Sequence, residues 1–534
     1  VTSPAPPLFS GTQRIGGRKI LFVAVMVAAI AGKLWLVRDL EIADALDDPH
    51  EYVLQVLYPF DGGLAYPPGT GAVGEIFYRL GVSYHFGIEA LYLGACGLLL
   101  AALGRSPWRD PVGLGLFLFM AFDPAPTELM SHFMSDPVWL VETMAGGACL
   151  MLALREGGRR SLPWLGGATL LLGLSALTRS VAAPLAAGLL GYLFFGWLVA
   201  RVAGKSAREN WNALRPAVLA VATVLLSVCG LIEATCFLHA QRNGFWGLSA
   251  LDSREYRSFY TCLQGVGAAD GPPYFPVDAQ RRQLIRQAGS QASAFIDLME
   301  TDARYKKVGR EIYGRDDFPA GWFHFVVFGA GLRLGHGNLV AAFTQMRDVE
   351  QEIHAAEKAG RLPHRFILPL PDSRLGIVLR CLPASLLHVT RQTLAQPDPT
   401  DFAQPPSRQF VLADFSRALH RQPIVNSPAR ERIRAGLAVF YRLIYGPWLI
   451  VLFAASLVTL AVGWWTRPQD EKVKFPIGSL PLIFFFVFAG WYALFDASGL
   501  AAFTRYMIYQ NVLLPVLTLC QLLLSWRWWA SRRE

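Results

Sequence analysis

Residues 20–37 read ILFVAVMVAAIAGKLWLV, eighteen positions in which Lys33 is the only charge. A bilayer core of roughly 30 Å asks for about 20 mainly apolar residues per helical span, so this stretch reads as a transmembrane helix. Nine more of near that length follow, at 86–104, 111–122, 133–154, 162–178, 183–203, 216–239, 437–464, 476–495 and 507–526. The pattern predicts an all-α polytopic membrane protein with about ten transmembrane helices. The third stretch is short and is interrupted by Pro124 and Pro126, so with the fourth it reads either as two spans or as a re-entrant hairpin.

Composition agrees. Of 534 residues, 53% are hydrophobic and 17% charged, and the mean hydropathy is +0.33, which excludes a soluble multidomain enzyme. The net charge of +9 does not form a nucleic-acid patch, because the basic residues alternate between the ends of the apolar stretches. Arg14, Arg18, Lys19, Arg105, Arg155, Arg159, Arg201, Arg215, Arg467 and Arg532 fall on one side, and only Arg38, Arg79, Arg179 and Arg505 sit in the opposite short loops. The positive-inside rule then makes both termini cytoplasmic and turns the loops 38–85 and 240–436 outward. The first stretch ends without a small-residue cleavage site and reads as a retained span. Usage rich in Ala, Gly, Leu and Arg fits a multi-pass protein of a bacterial inner membrane.

Three parts result: a seven-span block over 1–239, a periplasmic region over 240–436, and a three-span block over 437–534. The periplasmic region reads as largely helical. Leu339, Phe343, Met346, Val349 and Ile353 recur at helical spacing before Gly360, and further helices are expected at 281–299 and 320–334. Stretches 320–332 and 376–388 are apolar enough to lie on the membrane or to pack in this region's own core. Cys262 and Cys381 could pair in an oxidising periplasm or stay as two buried thiols. No Cys/His zinc spacing, P-loop or dinucleotide motif occurs.

The most informative residues follow the first span: Asp47-Asp48-Pro49-His50-Glu51-Tyr52. An acid beside a membrane cleft can act as general base toward an attacking hydroxyl or amine, and a second acid can raise its pKa or help hold a divalent ion. Alternatively, Asp48 with Pro49 and Glu51 is close to a capping box, which would start a helix through Val53, Leu54 and Leu57. Asp123 before Pro124 and Asp136 before Pro137 carry the same choice between cap and site. Arg179 and Arg505, at span ends, can anchor at headgroups or meet a phosphate with a bidentate guanidinium.

An acid and an aromatic four residues later, just beyond the first span, resemble the opening loop of the GT-C glycosyltransferase superfamily, of the protein O-mannosyltransferase and aminoarabinose transferase type. The resemblance implies that Asp48 is the catalytic base with Asp47 beside it, while Pro49 stands where a second acid is usual. Ala65-Tyr66-Pro67-Pro68-Gly69, Ser135-Asp136-Pro137, Leu174-Ser175-Ala176-Leu177-Thr178-Arg179 and Thr504-Arg505-Tyr506 resemble further segments of that superfamily. The likeness covers most of the first two hundred residues and the last span. It implies inverting transfer of a hexosyl or pentosyl group from a polyprenyl-phosphate-linked donor to a glycan, lipid or protein acceptor. Tyr52, Asp136, Arg179, Arg505 and Tyr506 would bind substrate, the arginines meeting the lipid phosphate. A divalent metal ion, with Asp48 and Asp136 as candidate ligands, could assist. Two other classes stay open: a transporter or flippase of a lipid-linked saccharide, and a non-catalytic envelope scaffold.

Overall fold

The computed structural model describes residues 15–38, 48–105, 107–108, 110–180, 182–202, 206–267, 271–363, 365, 367, 370–394, 418–420, 427–444, 451, 454, 458 and 476–499. Among these the chain is helical, with no strand. The N-terminal part contains α1 (Ile15–Val37), α2 (Asp48–Leu57), α3 (Gly69–Leu80), α4 (Tyr84–Ala102), α5 (Pro111–Phe122), α6 (Pro124–Met130), α7 (Ser135–Glu156), α8 (Leu162–Thr178), α9 (Ala182–Val202) and α10 (Ala207–Asn243). Then come α11 (Arg254–Gly265), α12 (Ala279–Arg286), α13 (Ser290–Glu300), α14 (Ala303–Tyr313), α15 (Ala320–Leu334), α16 (Leu339–Lys358) and α17 (Leu375–Leu394). Last are α18 (Pro428–Ile444) and α19 (Pro476–Ala497).

Among the described residues, five helical segments are long and apolar enough to cross a membrane: 19–37, 84–102, 135–156, 158–178 and 214–243. Shorter apolar helices cover 182–198 and 483–497. The expected span at 507–526, and most of that at 437–464, lie outside the described residues. At the ambiguous third stretch, α5 and α6 are bent by 49° at Asp123, which ends one helix and caps the next by accepting the Ala125 N–H at 3.0 Å. The capping expectation therefore holds for Asp123.

Small residues let these helices pack closely. A Cβ on Gly146 of α7 would lie 2.8 Å from the Leu172 side chain of α8, and one on Gly173 would lie 2.4 Å from Leu231 of α10. With little hydrophobic drive between helices in lipid, such close approach supplies the attraction. At the opposite extreme of polarity, Lys33 of α1 and Glu89 of α4 are fully buried with their charged atoms 3.8 Å apart. Lys33 also donates to the Thr127 hydroxyl, and His85 Nε2 lies 3.9 Å from Glu89.

Helices α11 to α16 surround a second core centred on Phe259, Phe295, Phe318 and Phe323. The buried face of α15 belongs to it, so 320–332 packs into its own core rather than on a membrane. Although α15 and α16 together are apolar enough for a span, they meet at 106° through a turn with Gly337 at φ 79°. The single helix expected over 281–299 is two helices, broken at an extended Gly289. There the Glu352 carboxylate lies 2.3 Å from where a Cβ would sit and accepts the Gln291 and Ala292 N–H groups, so a side chain at 289 would displace this cap. Cys262 is buried and unbonded, and Cys381 is also a free thiol.

Breaking one half of a buried ion pair leaves the other charge uncompensated, at a cost of about 3–5 kcal/mol. Lys33→Met should lower stability by that amount and Lys33→Met with Glu89→Gln by much less, as thermal unfolding in detergent would show. In the second core, burial pushes the Glu300 carboxyl up, but Lys306 at 2.5 Å and Arg282 at 2.6 Å outweigh it and hold its pKa below the ordinary value. A depressed carboxylate stabilises the fold above its unfolded pKa of about 4.3, and that contribution is lost as pH falls through the folded value. Glu300→Gln should therefore melt earlier than wild type at neutral pH, with the gap closing as pH falls below the folded pKa.

Candidate active site

The site grows from the hairpin formed by α2 and α3. Helix α2 begins at Asp48, one residue before the start that the capping reading gave to Pro49, and continues through Val53, Leu54 and Leu57. Tyr52, Val53 and Val56 are buried. The Tyr52 ring lies 5.3 Å from that of Tyr66 and 6.1 Å from that of Phe133, whose ring is in turn 4.6 Å from Tyr84. Gln55 holds the connection between the helices: its Nε2 donates to the carbonyls of Gly63 at 2.8 Å, Tyr66 at 2.9 Å and Pro67 at 3.3 Å. An amide nitrogen has two hydrogens, so one is shared among these three acceptors. The Tyr66-Pro67-Pro68 segment is thereby pinned against α2.

The hairpin sits on the ends of α7 and α8. A Cβ on Gly69 would fall 2.4 Å from the Thr178 hydroxyl oxygen and 2.6 Å from its backbone nitrogen, so only glycine allows this contact. Thr178, fully buried, donates to Glu142 Oε2 at 2.7 Å and also approaches the Leu174 carbonyl at 3.0 Å. The next residue, Arg179, pairs with Asp136, and its guanidinium stands 5.7 Å from the Trp139 ring centroid. Asp136 does not cap α7. It lies in the first turn with its side chain turned to Arg179, because Met134 occupies the cap position. The two expected substrate-binding residues thus face each other.

Three further buried polar groups lie on α3, α4 and α7. Thr70 follows Gly69 on α3, and the Tyr84 phenol at the start of α4 lies within electrostatic range of Glu142, Tyr52 and Asp136. Thr70 Oγ1, Tyr84 Oη and Glu142 Oε1 are each fully buried with no hydrogen-bond partner. Each such group costs about 1–3 kcal/mol. None of the three was singled out in the sequence. The available signal was Glu142 itself, a carboxylate in the middle of an apolar span, where an ionisable residue marks function by default.

Of the expected site residues, the structure brings Tyr52, Asp136 and Arg179 into one region. Asp47, Arg505 and Tyr506 lie outside the described residues. Among the described residues no three His, Cys, Asp or Glu side chains converge as a metal-binding group, and the Asp136 carboxylate is taken up by Arg179.

Beside Arg179, a cavity of about 880 Å³ opens between the bundle and the second core. Its bundle wall is Ser180, Ala182 and Ala183 with Ile232 and Cys236 of α10. Its opposite wall carries Arg254, Arg257, His354 and Arg365, with Asp252 and Glu350. Asp252 joins the walls, accepting from Ser180 and pairing with Arg257 at 2.6 Å. Burial, then the neighbouring charges of Arg281 and Arg374, bring the Arg365 guanidinium down to about 10, so it stays cationic at neutral pH among like charges.

Apolar spans closed at one end by a helical hairpin, a buried polar cluster and a cavity under a second core define an all-α, multi-pass membrane protein. No protein-family model matches the sequence, and no curated protein matches it. Solved structures do show similarity. ArnT from Cupriavidus metallidurans in the apo state is 14% identical over 94% of this chain and 77% of that one, with a TM-score of 0.31. The same protein bound to undecaprenyl phosphate is 12% identical over 92% and 78%, also at 0.31. ArnT is a GT-C aminoarabinose transferase, the type that the first-loop motif resembles. At these values the functional reading rests on this chain's own residues.

Overpacking a closed contact costs about 1–3 kcal/mol. Gly69→Ala should destabilise the protein by that amount. Removing the hydroxyl as well, in Gly69→Ala with Thr178→Ala, should not restore it, because the clash extends to the Thr178 backbone; melting temperatures of the two variants would check this.

Proposed function

We propose that this chain is an inverting membrane glycosyltransferase that moves a hexosyl or pentosyl group from a polyprenyl-phosphate-linked donor to an acceptor at the outer face of a bacterial inner membrane. The observation that carries this reading is the cavity beside Arg179. One wall is largely apolar and belongs to helices of the bundle; the other presents Arg254, Arg257 and Arg365. A lipid phosphate has the same two halves, a chain that leaves water and an anion that guanidinium groups bind well.

In the reaction, Asp48 takes the proton from an acceptor hydroxyl or amine as that group attacks the anomeric carbon. The new bond forms on one face while the bond to the lipid phosphate breaks on the other, and the phosphate leaves with the electron pair. Positions 48 and 52 are one helical turn apart, and Tyr52 belongs to the aromatic cluster above Glu142. Arg505 and Tyr506 are assigned to the donor phosphate by the resemblance of their segment, and Asp47 to support of Asp48. Asp136, through Arg179, positions the turn that leads from the polar cluster into the cavity.

A transporter of a lipid-linked saccharide is the second reading, favoured by the buried Lys33–Glu89 pair within the bundle. Transfer from radiolabelled polyprenyl-phosphate sugars by purified protein in lipid separates the two. Asp48→Asn, folded and inserted as wild type, should lose about 10²–10⁴-fold in transfer, the usual contribution of a general base. Arg365→Met should weaken donor binding by about tenfold or more, on the scale of a charged hydrogen bond. Donor binding without transfer by wild type would favour the transporter, and full activity of Asp48→Asn would remove the assigned base.

A further inference from the structure

We propose that α17 is an interfacial helix that lays a leucine face into the bilayer leaflet beside the second core and fastens that core to the membrane surface. The partner is the lipid itself, with acyl chains under the leucines and an anionic headgroup beside two flanking arginines.

By its sequence, 376–388 is apolar enough either to lie on a membrane or to pack in a core. The 20 residues of α17 do both, on different faces. Ile377, Val378 and Val389 are buried; Val389 belongs to the core of the bundle, and Leu382 packs against the same cluster. The helix lies against α19, whose stretch 483–497 is apolar, and His388 Nδ1 stands 3.2 Å from Asp496 near the end of α19. The start of α17 is tied to the second core instead. Gln264 of α11 donates to the Pro371 carbonyl at 3.0 Å and accepts the Ser373 N–H at 3.0 Å, and Arg374 donates to the Pro272 carbonyl at 2.7 Å.

The remaining face belongs to neither core. Leu375, Leu379, Leu386 and Leu387 are 48, 54, 46 and 52% exposed. Steps of four and seven residues put Leu375, Leu379 and Leu386 on one stripe of the helix. Arg380 and Arg391 are exposed as well, and their spacing of about three turns sets both along one edge of that stripe. Leucines in a row are costly in water and suit an acyl layer, while long arginine side chains reach from such a face to headgroup phosphates. Lipid is the partner next to hand, because the neighbouring α19 also exposes an apolar side chain, Phe486, at 52%. Gln264, which holds the start of α17, belongs to the helix that carries Arg254 and Arg257. A helix fixed on the lipid surface therefore also fixes the height of the cavity's guanidinium wall above the membrane.

The test places the photo-crosslinking residue p-benzoylphenylalanine singly at Leu379, Leu386 or Ala359 of the full-length protein, in nanodiscs of equal parts phosphatidylcholine and phosphatidylglycerol. Ala359, exposed after the last turn of α16 beside Lys358, is the reference. After irradiation, mass spectrometry should find lipid adducts at positions 379 and 386 and none at 359. Phosphatidylglycerol should exceed phosphatidylcholine in those adducts about fivefold, the enrichment that one arginine gives beside an anionic surface. Arg380→Gln with Arg391→Gln should level the two lipids while the total of lipid adducts stays unchanged. Adducts at 379 and 386 to protein, whether this chain or a second copy, would overturn the interfacial helix, as would lipid adducts no more frequent there than at 359. A phosphatidylglycerol share that is absent, or that survives removal of both arginines, would overturn the headgroup contact.

Discussion

The hydrogen bond from Thr178 to Glu142 holds the rest of the site in place. It joins the end of α8 to the interior of α7, and by fixing the Thr178 backbone it makes the seat on which Gly69 rests. That contact sets the height of the α2–α3 hairpin. The hairpin in turn sets where Tyr52 and the start of α2 stand above the bundle. One residue further along, Arg179 meets Asp136 on the same two helices, so a hydrogen bond and an ion pair lie side by side. The order of chain, turn and helix end matters more here than any single strong interaction.

Among the described residues, two ion pairs join helices of the bundle. Lys33 lies between Glu89 and Thr127, and Asp136 faces Arg179. Because lipid offers no hydrogen bonds, a lone charge in such a setting would be expensive, whereas a pair between two helices fixes their register. The second core manages its charges differently. Arg282 reaches both Glu300 and Asp317 at 2.6 Å, and Arg374 grips Asp372, beside a cavity whose wall stays rich in guanidinium groups.

Much of the bundle was legible in the sequence because lipid imposes a length and a composition on each span. The helices at 84–102, 135–156 and 162–178 begin and end within two residues of expectation. Helix α16 was equally plain, since its buried residues Phe343, Met346, Val349 and Ile353 follow the helical period. What periodicity could not convey was the break at Gly289, where the contact that requires glycine is with Glu352, far away in sequence. Glu142 was visible as a carboxylate within an apolar span, but its partner Thr178 is 36 residues away. Asp136 was visible as an acid before a proline, but its partner Arg179 is 43 residues away.

Helix α18 completes an element far from it in sequence. Arg430 and Arg434 donate to the carbonyls of Trp35 and Leu36, the last turn of α1, from 395 and 398 residues further along. Helix-end carbonyls have no partner within their own helix and attract cations. The end of α1 is therefore completed by a segment distant in sequence, and α1 and α18 can finish folding only together.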